Sequence, residues 1–403
     1  MHKRPTLSVE EARERILSVV HPLEPENVPI LEACGRVLAE EIVADRDIPP
    51  LANSAMDGYA VQGADVAQAP ARLQVIGKVA AGHLTEIAVR PGTAMRIMTG
   101  APIPTGADTV VRFEDTHTDG ETIEVQVAYK KGKNVRPAGE DVSAGQTVMT
   151  AGKVLRPQEI GMLAAVGRTN VMVIRRPRVA ILATGDEVVP PDRIPAPGQI
   201  RNANSYTVAA QVQQYGGIPL LLGIARDQEE LIRRGMRDAL AQRADMIITS
   251  GGVSVGDFDL VKQVLAAEGQ MHFWSLNMKP GRPLAFGMVD DVPLVGLPGN
   301  PVSAMVSTLI FVRPALRKMQ GFAAWPLRVV QARLVDAIRR KDRRRHYLRV
   351  RLHETNAGLE ATLTGDQGSG ILNSLVMADG LAIIPEDTDH FPAGETVNVI
   401  LLP

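Results

Sequence analysis

Five short segments of this chain place acid, cation and glycine where a phosphorylated ligand would need them. They are Gly185-Asp186-Glu187, Asp227, SGGVSVGDFD at 250–259, KPGRP at 279–283 and LPGNPVSA at 297–304. Ser250-Gly251-Gly252 and Gly256 let backbone N–H groups come close to an anion. Lys279 and Arg282 add cationic donors. Glu187, Asp227, Asp257 and Asp259 bring carboxylates to the same places. Carboxylates beside a phosphate site imply a hard divalent cation, most often magnesium. Each segment has a plainer explanation. Asp227 and Asp257 also suit helix N-caps, a lone SGG is commonly a turn, and TGDE alone is weak. What separates the two explanations is where the segments sit.

The elements between them alternate strand and helix. VAILAT, IPLLLGIA, DMIIT and MHFWSL read as strands, and LAFGM and PLVG as a strand pair around Asp290-Asp291. Helices are expected from Asn204 to Tyr215, after Asp227 with Glu230 in capping-box position, from about Asp257 to Ala267, and from Pro301 to Met319. This predicts an open, doubly wound α/β domain with a mostly parallel sheet over Arg178–Gly321. Ligands bind outside the carboxyl ends of the strands of such sheets. All five segments follow strands there, so they share one rim.

The rest of the chain is different in texture. From about Ile48 to Val154, glycine and proline punctuate short alternating runs, which reads as β-rich. NSAMDGYAV, MTGAPIPTGADTVV and RPAGEDV lie there and carry Asp57, Thr99, Asp108, Glu140 and Asp141, which turn chemistry could also explain. The tail from Val329 reads as a small β domain with VVQARL, YLRVRL, LAIIP and TVNVILL as strands. Ser8 and Glu11 form a capping box before an apolar stripe at Val9, Ala12, Ile16, Val19 and Val20, so an opening helix packs on the body. The single cysteine, Cys34, excludes an intrachain disulfide or a multi-cysteine metal site and reads as a small buried residue in the helical stretch ILEACGRVLAEEI. A net charge of -1 and 3% aromatics argue against nucleic acid, and RRKDRRR at 339–345 reads as a solvated face. No run is long enough to span a bilayer, and the first residues lack a signal peptide's apolar core. A cytoplasmic protein is expected.

Nine motifs together are similar to one family. NSAMDGYAV, MTGAPIP-x-GADTVV, R-x-x-GEDV, TGDE, PGQIRNANSY, SGGVSVGDFDLVK, MKPGRP, GLPGNPVSA and GSGILNSL occur in the order found in the MoeA-type molybdopterin molybdenumtransferases, to which the gephyrin E domain also belongs. The resemblance runs from about Val9 to Leu402. It implies an α/β and β multidomain chain. A linker domain would span 1–44 and 146–176, a β-rich inserted domain 45–145, the molybdopterin-binding-like α/β domain 177–326, and a small β domain 327–403. It implies an enzyme that inserts molybdate into adenylylated molybdopterin, releases AMP and uses magnesium. It also implies a homodimer with its cleft between the α/β domain of one chain and the β-rich domain of the other.

The resemblance assigns roles as well. Ser250, Gly251, Gly252, Ser254, Gly256, Asp259 and Lys279 would hold phosphates, with Pro298, Gly299 and Asn300 beside them. Glu187 and Asp227, with Asp257 or Asp259, would hold magnesium. Asp57, Thr99 and Asp141 would enter from the partner. Lys279, Arg282, Ser303, Arg349 and Ser369 are candidates for the molybdate pocket. The molybdopterin adenylyltransferase and molybdoenzyme maturation proteins would be protein partners. Two positions depart from many relatives: Arg282 stands where a lysine is common, and Ser275 where a basic residue is common. An adenylyltransferase is the competing enzyme, but it resembles the α/β domain alone. A non-catalytic gephyrin-like scaffold is the competing non-enzyme, and the intact acidic motifs argue against it.

Overall fold

Continuous apolar runs such as RVAILAT and MIITS are buried on both faces, as a parallel sheet covered by helices requires. The computed structural model describes residues 6–251, 271–340 and 342–402. The chain divides into two compact units, Met1–Glu26 with Ile174–Pro403, and Asn27–Val173.

The first unit is built on a seven-stranded sheet. Its strands in chain order are β1 (Thr6–Leu7), β2 (Arg178–Thr184), β3 (Ile218–Ala225), β4 (Met246–Ser250), β5 (Met271–Leu276), β6 (Pro283–Val289) and β7 (Val292–Leu297). Their order in space is β1-β5-β6-β7-β4-β2-β3. Only β6 runs against the others, paired antiparallel to both β5 and β7. Asp290, with a positive φ of 49°, turns the chain between β6 and β7. From β2 the chain passes to β3 on one side, then crosses to β4 on the other. The crevice beyond β2 and β4 is therefore a topological switch point, the usual ligand position in such sheets.

Alternate residues of β2 feed two cores. Val179 and Ile181 join Val208 and Val212 from the helix Asn204–Gln214, Phe311 from the π-helical turn Thr308–Val312 and Leu316 from the helix Arg313–Met319. Ala180 and Leu182 join Ile232, Met236 and Ala239 from the helix Glu229–Ala241. Each fully buried large aliphatic contributes roughly 1.5–3 kcal/mol. The opening helix, Val9–Ser18, has the expected reciprocal cap: Ser8 Oγ accepts the Glu11 N–H at 3.1 Å, and Glu11 Oε2 accepts the Ser8 N–H at 2.8 Å. Val9, Ala12, Ile16 and Val20 seat it on the first core, while Val19 faces solvent.

The tail closes on itself. Arg345–Thr355 pairs with both Gly358–Leu363 and Gly380–Ile384, and the circuit continues through Val329–Leu334 and Thr396–Leu401. This is a small five-stranded barrel around Val350, Ala361, Ala382 and Val399. Met278–Lys279 adds a parallel edge pairing to Arg345 and His346. The strand Gly358–Leu363 is not among the strands expected from the sequence.

The second unit carries a six-stranded sheet ordered Thr109–Arg112, Gly58–Val61, Thr93–Ile97, Ala71–Val79, Thr122–Val125 and Thr116–Asp119. The helix Pro157–Ala165 packs separately with Leu38, Ile42, Leu155 and Val173.

Two sequence expectations need correction. ILEACGRVLAEEI is not a helix: only Ile30–Ala33 turns, as a 3-10 helix, and Cys34 is exposed. Gly35, at φ 79°, takes the chain out of the turn at once. RRKDRRR is not simply a solvated face either. Arg340 donates to the carbonyls of Thr388, Arg344 and Pro385. Arg344 pairs with Asp342 at 2.7 Å, and Arg345 with Glu10 at 2.6 Å and Glu386 at 3.0 Å. These arginines bind the barrel's loops and the opening helix.

Candidate active site

The switch-point crevice is a cleft of about 100 Å³ lined by Thr184, Glu187, Arg201, Asn204, Gly251 and Gly299, among others. Gly251, just past β4, has φ 103°, and its N–H donates to the Leu297 carbonyl at 3.2 Å. A Cβ there would lie 2.5 Å from the Thr184 carbonyl oxygen, so only glycine fits between β2 and β4. Gly299 stands across from it, 3.8 Å from a Cβ position to Gly251 Cα. Asn204 Nδ2 donates to the Gly299 carbonyl at 2.7 Å, which fixes the turn before the helix Pro301–Ser307. Pro298 is buried under that turn.

The acidic side of the rim is Asp186, Glu187 and Asp227. The Asp227 N–H donates to Asp186 Oδ1 at 3.2 Å. Burial pushes the Asp227 carboxyl above its usual range, and the charges of Asp186 and Glu187 add to this. Asp227 is not the helix cap that the sequence allowed. The helix begins at Glu229, Gln228 is its N-cap, and no side chain caps it. The Asp227 carboxylate is left without an ion pair among the described residues. An uncompensated, all-oxygen acidic group fits a hard divalent cation. Among the described residues no three such side chains already form a metal cage. Gly252, Ser254, Gly256, Asp257, Asp259 and the helix expected from about Asp257 to Ala267 lie outside the described residues.

The cationic side lies on the β5–β6 loop. Lys279 Nζ is 3.8 Å from Asp342 Oδ2, and Asp342 also holds His346 Nε2 at 2.6 Å. Arg282 Nε donates to Ser275 Oγ at 3.0 Å. The two positions that depart from many relatives thus meet each other: a serine hydroxyl holds the longer guanidinium in place.

Asn300 Nδ2 donates to Ser369 Oγ at 2.8 Å, and the Val302 N–H donates to the Ser369 carbonyl at 3.1 Å. This ties the GSGILNSL loop to the start of the helix Pro301–Ser307, in which Ser303 is buried. Arg349 is 1% exposed, its Nε donating to Ser374 Oγ at 3.0 Å and its Nη2 to the Gly368 carbonyl at 2.9 Å. The structure therefore places Arg349 as the support of the Ser369 loop, with Ser369 itself at the rim. Arg201, within PGQIRNANSY, also lines the cleft, although nothing in its type or spacing marks it in the sequence. It reaches the cleft because Ile200–Arg201 pairs with Val188–Val189, directly after Glu187.

In the second unit the NSAMDGYAV motif meets the other two acidic motifs. The Gly100 N–H donates to the Ser54 carbonyl at 2.8 Å, and Val135–Arg136, at the start of RPAGEDV, pairs antiparallel with Asn53–Ser54. Asp57 and Asp141 are both exposed. Asp57 Oδ1 accepts from the Thr99 N–H at 2.6 Å and from Thr99 Oγ1 at 2.8 Å. Those two bonds, the backbone one first, hold its carboxyl below the usual range.

Three family models cover the chain: the MoeA N-terminal region (domain I and II) over residues 7–167, the Probable molybdopterin binding domain over 180–318, and the MoeA C-terminal region (domain IV) over 331–402. A molybdopterin molybdenumtransferase of Nostoc is 37% identical, over 99% of this chain and 94% of its own length. One of Haemophilus influenzae is 35% identical, over 98% of each. The chain belongs to the molybdopterin molybdenumtransferase family. A molybdopterin biosynthesis MoeA protein of Pyrococcus horikoshii superposes with a TM-score of 0.82 at 33% identity, covering 99% of this chain and 100% of that one. Membership makes this chain an enzyme of molybdenum cofactor biosynthesis, with the expected doubly wound domain, β-rich region and small barrel. No helix among the described residues is long and apolar enough to cross a membrane.

Proposed function

We propose that this molybdenumtransferase binds adenylylated molybdopterin in the switch-point crevice and inserts molybdate into its dithiolene as AMP leaves. The observation that carries this is the crevice itself. Its wall holds Glu187, whose charge acts on Asp227, together with the glycines Gly251 and Gly299. Gly299 keeps a backbone N–H without a partner among the described residues, and that donor suits a phosphate oxygen. Lys279 and Arg282 orient the oxyanion. Asp342 and Ser275 fix the directions of their side chains.

Magnesium fits the acidic side, with Glu187 and Asp227 as oxygen ligands and Asp257 or Asp259 as further candidates. When bound, it would offset charge on the phosphoanhydride. The exposed Asp57–Thr99 pair and Asp141 serve the cleft of a partner chain in a cytoplasmic homodimer. Transfer onward to maturation proteins, and receipt from the adenylyltransferase, follow from this place in the synthesis. The test is AMP release from adenylylated molybdopterin with and without molybdate. Molybdate-dependent release supports the assignment, and release that ignores molybdate refutes it.

A further inference from the structure

The helical run that starts at Pro301 carries two half-buried arginines one turn apart, Arg313 and Arg317. Arg313 Nη1 donates to the Trp325 carbonyl and Nη2 to the Pro326 carbonyl, each at 2.9 Å, and its guanidinium lies 6.0 Å from the Tyr215 ring centre. Arg317 stacks 4.5 Å over the Phe322 ring. Its guanidinium has no hydrogen bond or ion pair among the described residues. Burial holds both side chains below their ordinary basicity, and the charge of Arg313 adds to this at Arg317. Desolvating a cation without a counter-ion is costly. Two such cations side by side call for an anion from outside the chain.

The space for one is present. A cavity of about 270 Å³ opens on both side chains, with Arg328, Asp379, Tyr215, Leu309 and Leu401 in its wall. Asp379 is the one carboxylate there, and its Oδ2 already accepts the Leu352 N–H at 2.8 Å. Three guanidiniums against one carboxylate leave an excess of positive charge that matches a dianion. The Tyr215 hydroxyl accepts from Gln211 Nε2 at 3.1 Å, so its own proton is free to donate. The leucines leave room for an organic body. At 1.5 Å per helical residue, Arg317 lies roughly 24 Å along the run from Pro301, far from the rim.

We propose that this cavity is a second ligand site, separate from the rim crevice, that takes a small phosphate monoester between Arg313, Arg317 and Arg328. Paired guanidinium forks suit phosphate oxygens better than ammonium groups would. The rim is itself an anion site, so the test must tell the two apart. Phenyl phosphate is titrated calorimetrically into the full chain as wild type, K279A, R317Q and R328Q. The expected result is a binding event that K279A keeps with an unchanged Kd, that R317Q weakens at least tenfold, and that R328Q weakens several-fold. Without the probe, R317Q should melt at or above the wild-type temperature, because it loses an unpaired, half-buried charge. Should R317Q fail to fold, R328Q carries the measurement, since Arg328 is exposed. Wild-type affinity in every folded variant among R317Q and R328Q overturns the proposal. So does binding that disappears in K279A and persists in those variants.

Discussion

Gly299→Ala separates ligand binding from folding at the crevice. The nearest atom to the new methyl would be Gly251 Cα at 3.8 Å, an ordinary van der Waals contact, and Gly299 does not have a positive φ. Nothing among the described residues opposes the methyl, and Gly→Ala at a compatible position stabilises by about 0.4–1 kcal/mol through the unfolded chain. The melting temperature should therefore hold or rise slightly. The methyl does protrude into the cleft beside the unpartnered Gly299 N–H. A phosphate pushed off that donor loses a charge-assisted hydrogen bond of about 1.5–3 kcal/mol. That corresponds to roughly a 10- to 100-fold fall in kcat/KM. The assay is molybdate-dependent AMP release at varied adenylylated molybdopterin, beside a thermal melt. Gly251→Ala is the contrast: its Cβ meets the Thr184 carbonyl at 2.5 Å at φ 103°, so it should lower stability and activity together. A Gly299→Ala enzyme with wild-type kcat/KM would refute the placement of phosphate at this turn.

Three further outcomes are expected. Asp227→Asn should raise the melting temperature at pH 7 in metal-free buffer, because burial and the charges of Asp186 and Glu187 raise the native carboxyl's pKa above its unfolded value. A group raised in this way stabilises the fold at low pH and loses that contribution as pH rises, so the gap to wild type should close as pH falls toward about 4; a variant that melts lower at pH 7 contradicts this. Excess chelator should abolish AMP release and added magnesium should restore it, whereas unchanged turnover in chelator rules out the metal. Finally, Asp57→Ala and Asp259→Ala refolded as an equal mixture should recover about a quarter of wild-type activity, since half the dimers are mixed and half their clefts carry neither change. A dead mixture, with mixed dimers seen by mass spectrometry, rules out a cleft shared between chains.

The α/β unit was legible because its signals are local and redundant. RVAILAT and MIITS have unbroken apolar centres, Val179–Ala183 and Met246–Ile248, as strands buried on both faces must, and the capping box at Ser8 and Glu11 marks a helix start without any tertiary knowledge. The barrel strand Gly358–Leu363 was not legible. Leu359, Ala361 and Leu363 do alternate with Glu360 and Thr362, but the run is short, and only Ala361 is fully buried. Cys34 misled for a related reason: an apolar stretch reads as helix until a left-handed glycine such as Gly35 interrupts it.

Side-chain roles depend on partners distant in sequence, and there composition says least. Arg349 is a candidate anion ligand by residue type, and only the structure shows that its guanidinium also donates to Ser374 Oγ and the Gly368 carbonyl. The same rule works in reverse at Asp227. By sequence it is a fitting N-cap, and a cap would have absorbed its charge in the backbone of the following helix. The helix instead starts two residues later, behind Gln228, and no side chain caps it. That displacement leaves a carboxylate beside Asp186 and Glu187 with no counter-ion of its own among the described residues. A protein that needed only a helix start would gain from relieving that repulsion, as Asp227→Asn does. Keeping the carboxylate is costly to the fold, and the proposed bound cation would offset that cost.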